Sequence, residues 1–218
     1  MDSTIRVLAD PLARLHEWLA GGAPRIIIGI AGLPGAGKST LAARLAQRLN
    51  AAVAAPCALA LGMDGFHLSR AQLRQLPDPA LAFARRGAPW TFDADGFVAR
   101  LGLLRHHTAT VTWPTFAHDV GDPVADAITI TPDVRLVLVE GLYLLHDRDG
   151  WQAAQPACDE VWYLDTPWDV AIERLTLRHM RAWGFSRAQA EARIAGSDGL
   201  NAALVRDSAV RAAWRVAG

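Results

Sequence analysis

Gly32-Leu33-Pro34-Gly35-Ala36-Gly37-Lys38-Ser39 reads G-x-x-x-x-G-K-S, the spacing of a phosphate-binding P-loop. Glycine at 32, 35 and 37, with the small Ala36 between, lets the backbone wrap an anion. Several N–H groups and the start of the next helix, up to Thr40, can then face the phosphates. The motif gives Lys38 the β- and γ-phosphates and gives the Ser39 hydroxyl a Mg²⁺ ion. Lys38 is also the single lysine among 22 cationic side chains, all the others being arginine. The exception falls where a compact ammonium on a flexible stem is wanted rather than a planar fork.

Moving a phosphoryl group to a small-molecule hydroxyl needs more: a metal, a group to receive the hydroxyl proton, and cations on the migrating charge. Asp64, in Met63-Asp64-Gly65-Phe66-His67, is the candidate base, because it follows the strand after the P-loop helix. The plainer alternative is a turn aspartate before a glycine. Glu140 closes the run Arg135-Leu136-Val137-Leu138-Val139-Glu140-Gly141, and a strand-end acid of that kind holds Mg²⁺ in P-loop enzymes. Only five of the 22 acids are Glu, and the alternative is a solvated strand end. Arg174, Arg178 and Arg181 fall on one face of a helix and are candidates for ATP contacts from a mobile lid. A cationic stripe is more often a solvated face. His106-His107 has no acidic or cysteine partner at ligand spacing and reads as surface.

The elements that must position these groups follow from patterning. Arg25 to Ile30 is a buried strand, and Leu41, Leu45 and Leu49 mark the helix after the P-loop. Before them, Thr4 to Ala20 predicts an amphipathic helix along Leu8, Leu12, Leu15 and Leu19, ended by Gly21-Gly22. Cys57 to Leu61 predicts the second strand, running out at Asp64 on the edge where open α/β sheets bind ligands. Ser69 opens a short helix to Leu76, Pro77 to Trp90 reads as loop, and Asp93 caps a helix through Phe97, Leu101 and Leu104. Val111–Trp113 and Ala127–Ile130 predict two short strands, with a polar turn-rich stretch from Pro114 to Pro123 between them. Together they form a flap over about 111–131. After a strand at Glu160–Leu164, Thr166 as N-cap and Pro167 at N1 start a helix to Trp183. Ser186 and Gln189 make a capping box for the next, and a last helix covers Ala202 to Val216.

The bulk numbers bound the rest. A chain of 218 residues with 51% hydrophobic residues fits one domain with a full core. Net charge +0 gives no reason to expect nucleic acid or an anionic membrane as partner. The N-terminal residues lack a signal-peptide pattern, and Ala51 to Met63 is too short to span a bilayer. Cys57 and Cys158 have no C-x-x-C spacing, so a cytoplasmic protein without metal staple or redox pair is expected. Monomer and homodimer both stay open.

Taken together, these residues resemble the phosphoribulokinase, uridine kinase and bacterial pantothenate kinase group of P-loop kinases, from about Arg25 to Asn201. The resemblance rests on the P-loop, Met63 to His67, Gly87-Ala88-Pro89-Trp90-Thr91-Phe92-Asp93, Val139-Glu140-Gly141 and the Arg-rich lid. With the late Asp198-Gly199-Leu200-Asn201, it is closest to the branch called nucleoside/nucleotide kinase-like or fructose-transport-system kinase. It implies that Asp64 is the catalytic aspartate, Glu140 the acid near the metal, and Arg178 a lid arginine on the phosphates. By the same resemblance Asp93 holds acceptor hydroxyls, with simple N-capping as the alternative, and His118 is a flap histidine touching the acceptor. Two departures stand out. Trp183 replaces a second lid arginine, leaving Arg174 or Arg181 to compensate, and Ala117 replaces an acid common in the flap.

The expected fold is an α/β P-loop sandwich, three-layered, with a mostly parallel sheet of about five strands, an antiparallel flap and a helical lid over about 168–196. The expected activity is an ATP- and Mg²⁺-dependent kinase acting on a small molecule, sugar-like first, with a nucleoside or pantothenate next. Its acceptor pocket would lie among His67, Arg86, Trp90, Asp93, Trp113, Phe116 and His118. A phosphorylated acceptor would need a further cationic cluster, for which Arg85-Arg86 is the one nearby pair. A GTPase switch or a non-catalytic nucleotide-binding regulator is the alternative of another class. Against the former, the chain has no Asn-Lys pair for a guanine motif.

Overall fold

The structure is a computed structural model and describes residues 6–53, 56–117 and 120–218. Five strands, β1 (Ile26–Gly32), β2 (Ala58–Gly62), β5 (Leu136–Gly141), β6 (Glu160–Asp165) and β7 (Trp214–Ala217), form one sheet in the order β2-β5-β1-β6-β7. Every pairing in it is parallel. The central strand β1 is buried along its whole length, as its run of isoleucines requires once helices cover both faces. β3 (Val111–Ala117) and β4 (Asp122–Ile130) make a separate antiparallel hairpin, the expected flap.

The helices α1 (Pro11–Ala20), α2 (Lys38–Asn50), α5 (Ala94–Leu104), α6 (Trp168–Trp183), α7 (Arg187–Arg193) and α8 (Gly199–Ser208) complete the layers. Two short ones, α3 (Arg70–Leu73) and α4 (Pro79–Ala84), lie in the segment between β2 and α5. Buried Arg25 fastens the base of β1 by donating to the carbonyls of Val134, Leu104 and Thr131. Beside the flap, Phe66, Phe97 and Trp113 pack edge to face, and Phe92, Tyr143 and Trp151 continue the cluster.

Several boundaries differ from the expectation. The first helix begins at Pro11, capped by Asp10, and Val7 instead bridges in parallel to Arg215. The stretch 77–90 is not all loop, because Asp78 as N-cap and Pro79 at N1 start α4. The polar stretch 114–123 belongs largely to the two flap strands, whose outer faces meet solvent and so tolerate turn-type residues. Thr166 caps nothing: its hydroxyl donates to the Ala36 carbonyl at 3.0 Å, and α6 starts behind Pro167 with no side-chain cap. The last helix ends at Ser208, and Trp214–Ala217 form the fifth strand of the sheet beside β6. The Ser69–Gln72 and Ser186–Gln189 capping boxes are present, and Asp93 caps α5 through Gly96 N–H.

Candidate active site

Parallel register assembles the site at the carboxyl edge of the sheet. Gly62 on β2 and Ile30 on β1 both pair with Glu140 on β5. Asp64 lies two residues beyond the first, and the P-loop follows the second. The Ser39 hydroxyl donates to Glu140 Oε1 at 2.8 Å, joining the two candidate metal ligands directly. Lys38 is 8% exposed, and its ammonium donates to the Leu33 carbonyl across the loop at 2.9 Å. Burial pushes the Lys38 ammonium below its usual range, with Glu140 and Asp64 opposing and Arg178 reinforcing. Burial likewise pushes the Glu140 carboxyl up, opposed chiefly by Lys38. Lys38 and Glu140 thus each feel the charges of Asp64 and Arg178.

The loop is shaped for a polyanion. Gly35 and Gly37 have φ of 81° and 98°, conformations that favour glycine, and a Cβ on Gly35 would run into the Ala171 carbonyl of α6. Gly37 is the N-cap of α2 and has no side chain to bond the first-turn N–H groups, which leaves that positive helix end for a ligand. Arg174 donates to the Ala36 carbonyl at 3.3 Å, so this arginine stands at the loop itself. Arg178 follows one turn on, and Arg181 lies exposed in the last turn of α6.

Behind the loop opens a cavity of about 530 Å³, lined among others by Thr40, Arg44, Leu164, Arg174 and Ala217. Patterning did not find it, because its walls include the start of α1 and the end of β7, which lie at opposite ends of the chain.

On the other side, Gly65 lets the flap lie directly on the Asp64 loop, for a Cβ there would overlap the Pro114 carbonyl. Trp113 donates from its indole to Gly62 O at 2.9 Å. His67 sits between Phe92 and Phe116, with ring centroids 4.0 and 4.7 Å away, and its Nδ1 lies 2.8 Å from the Asp64 carbonyl. Asp93 is exposed, with one carboxylate oxygen on Gly96 N–H. Arg86 is brought to the same place but is used internally. Its two terminal nitrogens donate to Gly121 O at 2.6 Å and Leu68 O at 3.0 Å, and the guanidinium lies over Phe116. Asp122, opposite Ala117 in the flap register, lies 3.4 Å from Arg86. His118 lies outside the described residues. Among the described residues no group of His, Cys, Asp and Glu forms a multi-ligand metal cage, and no helix is long and apolar enough to cross a membrane.

Comparison with known proteins agrees with this geometry. The model of the Phosphoribulokinase / Uridine kinase family matches residues 27–198. An ATP-dependent kinase-like protein of Aspergillus versicolor is 43% identical over 145 residues, 64% of this chain and 84% of its own length. A candidate uridine kinase of Schizosaccharomyces pombe is 41% identical over 157 residues, 72% of this chain and 67% of its own. The crystal structure of a candidate fructose transport system kinase from Silicibacter sp. TM1040 superposes with TM-score 0.82 at 32% identity, covering 95% of this chain and 99% of that one. With the loop, the acids and the parallel sheet in the arrangement described, the chain belongs to the phosphoribulokinase/uridine kinase family of ATP-dependent P-loop kinases.

Proposed function

We propose that the protein transfers the γ-phosphoryl group of Mg²⁺-ATP to a hydroxyl of a neutral, sugar-like metabolite. The observation carrying the reading is the convergence of Lys38, Asp64 and Glu140 at one sheet edge, with Ser39 bonded to Glu140. The triphosphate lies along the N–H groups of the P-loop and α2, and the adenosine end occupies the cavity by Thr40 and Arg174. Ser39 and Glu140 would hold the metal, which when bound would supply positive charge to neutralise that developing on the phosphates. Asp64, exposed on the acceptor side, takes the proton of the attacking hydroxyl. The hydroxyl oxygen bonds to the γ-phosphorus as the β–γ bridging bond breaks. ADP leaves, and Lys38, Arg174 and Arg178 balance its charge.

His67, Phe116 and Asp93 offer aromatic faces and a hydroxyl-binding carboxylate on the acceptor side, suited to a ring with no charge of its own. The neutral character is supported by Arg86, whose terminal nitrogens are already held by the flap and by Leu68, and by Arg85, which donates to Asn201. Likeness to the Silicibacter structure favours a sugar, while the fission-yeast relative favours a nucleoside as second reading. Two unpaired thiols, Cys57 and Cys158, suit a reducing cytoplasm.

An ADP-release screen over fructose and other sugars, uridine, cytidine, pantothenate and glycerate tests the proposal. Sugar-dependent release is the expected result. Turnover with uridine alone overturns the sugar preference, and a response only to sugar phosphates overturns the neutral acceptor. Silence across the panel in a protein that binds ATP would leave a non-catalytic module.

A further inference from the structure

Asp198-Gly199-Leu200-Asn201 takes no direct part in the chemistry above, yet both its polar side chains are bonded to other elements. It lies where α7 gives way to α8 through a wider i→i+5 turn, Ile194–Asp198. Such turns are frequent at functional sites. The Asp198 carboxylate points inward. Its Oδ2 lies 2.9 Å from Nε2 of His179, a residue of α6 that is 3% exposed, and 3.8 Å from Nε of Arg193. Trp183 stacks on the His179 ring at 4.4 Å and 13°. The tryptophan that stands in place of a lid arginine thus covers this pair. Leaving a buried polar group without a partner is costly, so the bonded pair ties α6 to the start of α8.

From there the contacts run toward the acceptor side. Arg193 donates to the carbonyls of Ala84 at 2.9 Å and Arg86 at 3.3 Å. Buried Asn201 accepts from Arg85 at 3.4 Å. Arg86 then grips the flap through Gly121 O, and Tyr143 holds the next carbonyl, Gly87 O, at 2.5 Å. The helix carrying Arg174 and Arg178 is therefore joined to the loop and flap carrying the acceptor-side groups by polar contacts that bypass the central sheet.

We infer that Asp198 is a positioning residue that couples the two halves of the site. The setting of Arg174 and Arg178 over the phosphates passes through His179, Asp198 and Arg193 to residues 84–92 and the flap. The inference rests on the nucleotide reading above. By linkage, nucleotide and acceptor then each favour the other's binding by the same factor. A merely structural hub would lower stability without carrying this communication.

Hydrogen exchange by mass spectrometry on the full chain tests it, with a non-hydrolysable Mg²⁺-ATP analogue as probe. In the unmodified protein the probe should slow exchange in α2 and α6, and also in residues 84–92 by about fivefold, the low end of usual coupling. In Asp198→Asn the slowing at α2 and α6 should remain, and that at 84–92 should vanish. Slowing confined to α2 and α6 in the unmodified protein overturns the inference. So does slowing at 84–92 that survives Asp198→Asn, or a variant that loses α6 protection along with it. No slowing at α2 in the unmodified protein overturns the nucleotide reading itself, and this is seen separately from the other outcomes. Should Asp198→Asn fail to protect β1 and β5 without ligand, the half-buried Arg193→Gln decides by the same criteria.

Discussion

Asp64 acts on the charge of Lys38, and in the proposed reaction the two have opposite duties that substitution separates. In Asp64→Asn, kcat should fall by about 10²-fold or more while ATP affinity stays within a few-fold, the usual scale for losing a general base. Unchanged kcat, measured by coupled ADP release, would move the base elsewhere, with His67 next to be tested. Lys38→Arg should be inactive and should bind ATP weakly, because a planar fork cannot replace a compact ammonium in so buried a cradle. Glu140 gives a pH signature. Burial raises its carboxyl, so as pH falls it takes a proton before an ordinary carboxylate, near 4.3, would. The protonated form cannot ligate Mg²⁺, so the KM for Mg²⁺ at saturating ATP should climb with acid at a pH above that ordinary range. Glu140→Gln should weaken Mg²⁺ at every pH and abolish the limb. A limb lying at the ordinary carboxylate value would refute the buried setting.

Among elements, two close approaches decide whether the halves of the site meet. Gly35 passes under α6 with φ of 81°, and Gly65 passes under β3. Gly35→Ala should cost ATP at least about tenfold in affinity, since strain of about 1–2 kcal/mol is joined by collision with Ala171. Gly65→Ala should leave ATP affinity within a few-fold while raising the acceptor KM and costing about 1–3 kcal/mol of stability. Gly102, in α5 with open space around it, is the control, and Gly102→Ala should be neutral or stabilising by up to about 1 kcal/mol. Chemical denaturation of all three, with equilibrium ATP binding, checks the contrast. The sequence carried the P-loop glycines as a motif. It carried no sign that α6 lies over Gly35, because that contact joins residues far apart in the chain.

At the scale of the whole molecule, ligand binding should appear as stability. On the proposed reading the nucleotide would lie on the P-loop, α2 and α6 and enter the cavity lined by the start of α1 and the end of β7. Mg²⁺-ATP at 100 times its Kd should stabilise by about 2.7 kcal/mol. For a domain of this size that raises Tm by roughly 5–10 °C. GTP at equal concentration gives the comparison, and a flat melting curve with Mg²⁺-ATP would sink the nucleotide reading.

What was legible in the sequence was local: the G-x-x-x-x-G-K-S spacing, the isoleucine run of β1, the caps at Ser69, Asp93 and Ser186, and the acids that end β2 and β5. These rest on interactions within a few residues or on one-dimensional burial patterns, which a chain displays before it folds. Three things were decided only by tertiary structure. Trp214 to Val216 read as the end of the last helix but became strand, because β6 offered an open edge with hydrogen-bond partners. Arg86 read as an acceptor contact but is bonded to Gly121 and Leu68, since the fold brings their unpaired carbonyls to it. Thr166 read as a cap but donates to Ala36 O, 130 residues away in the chain. In each case a polar group took the partner that packing placed nearest, and no local pattern encodes which partner that is.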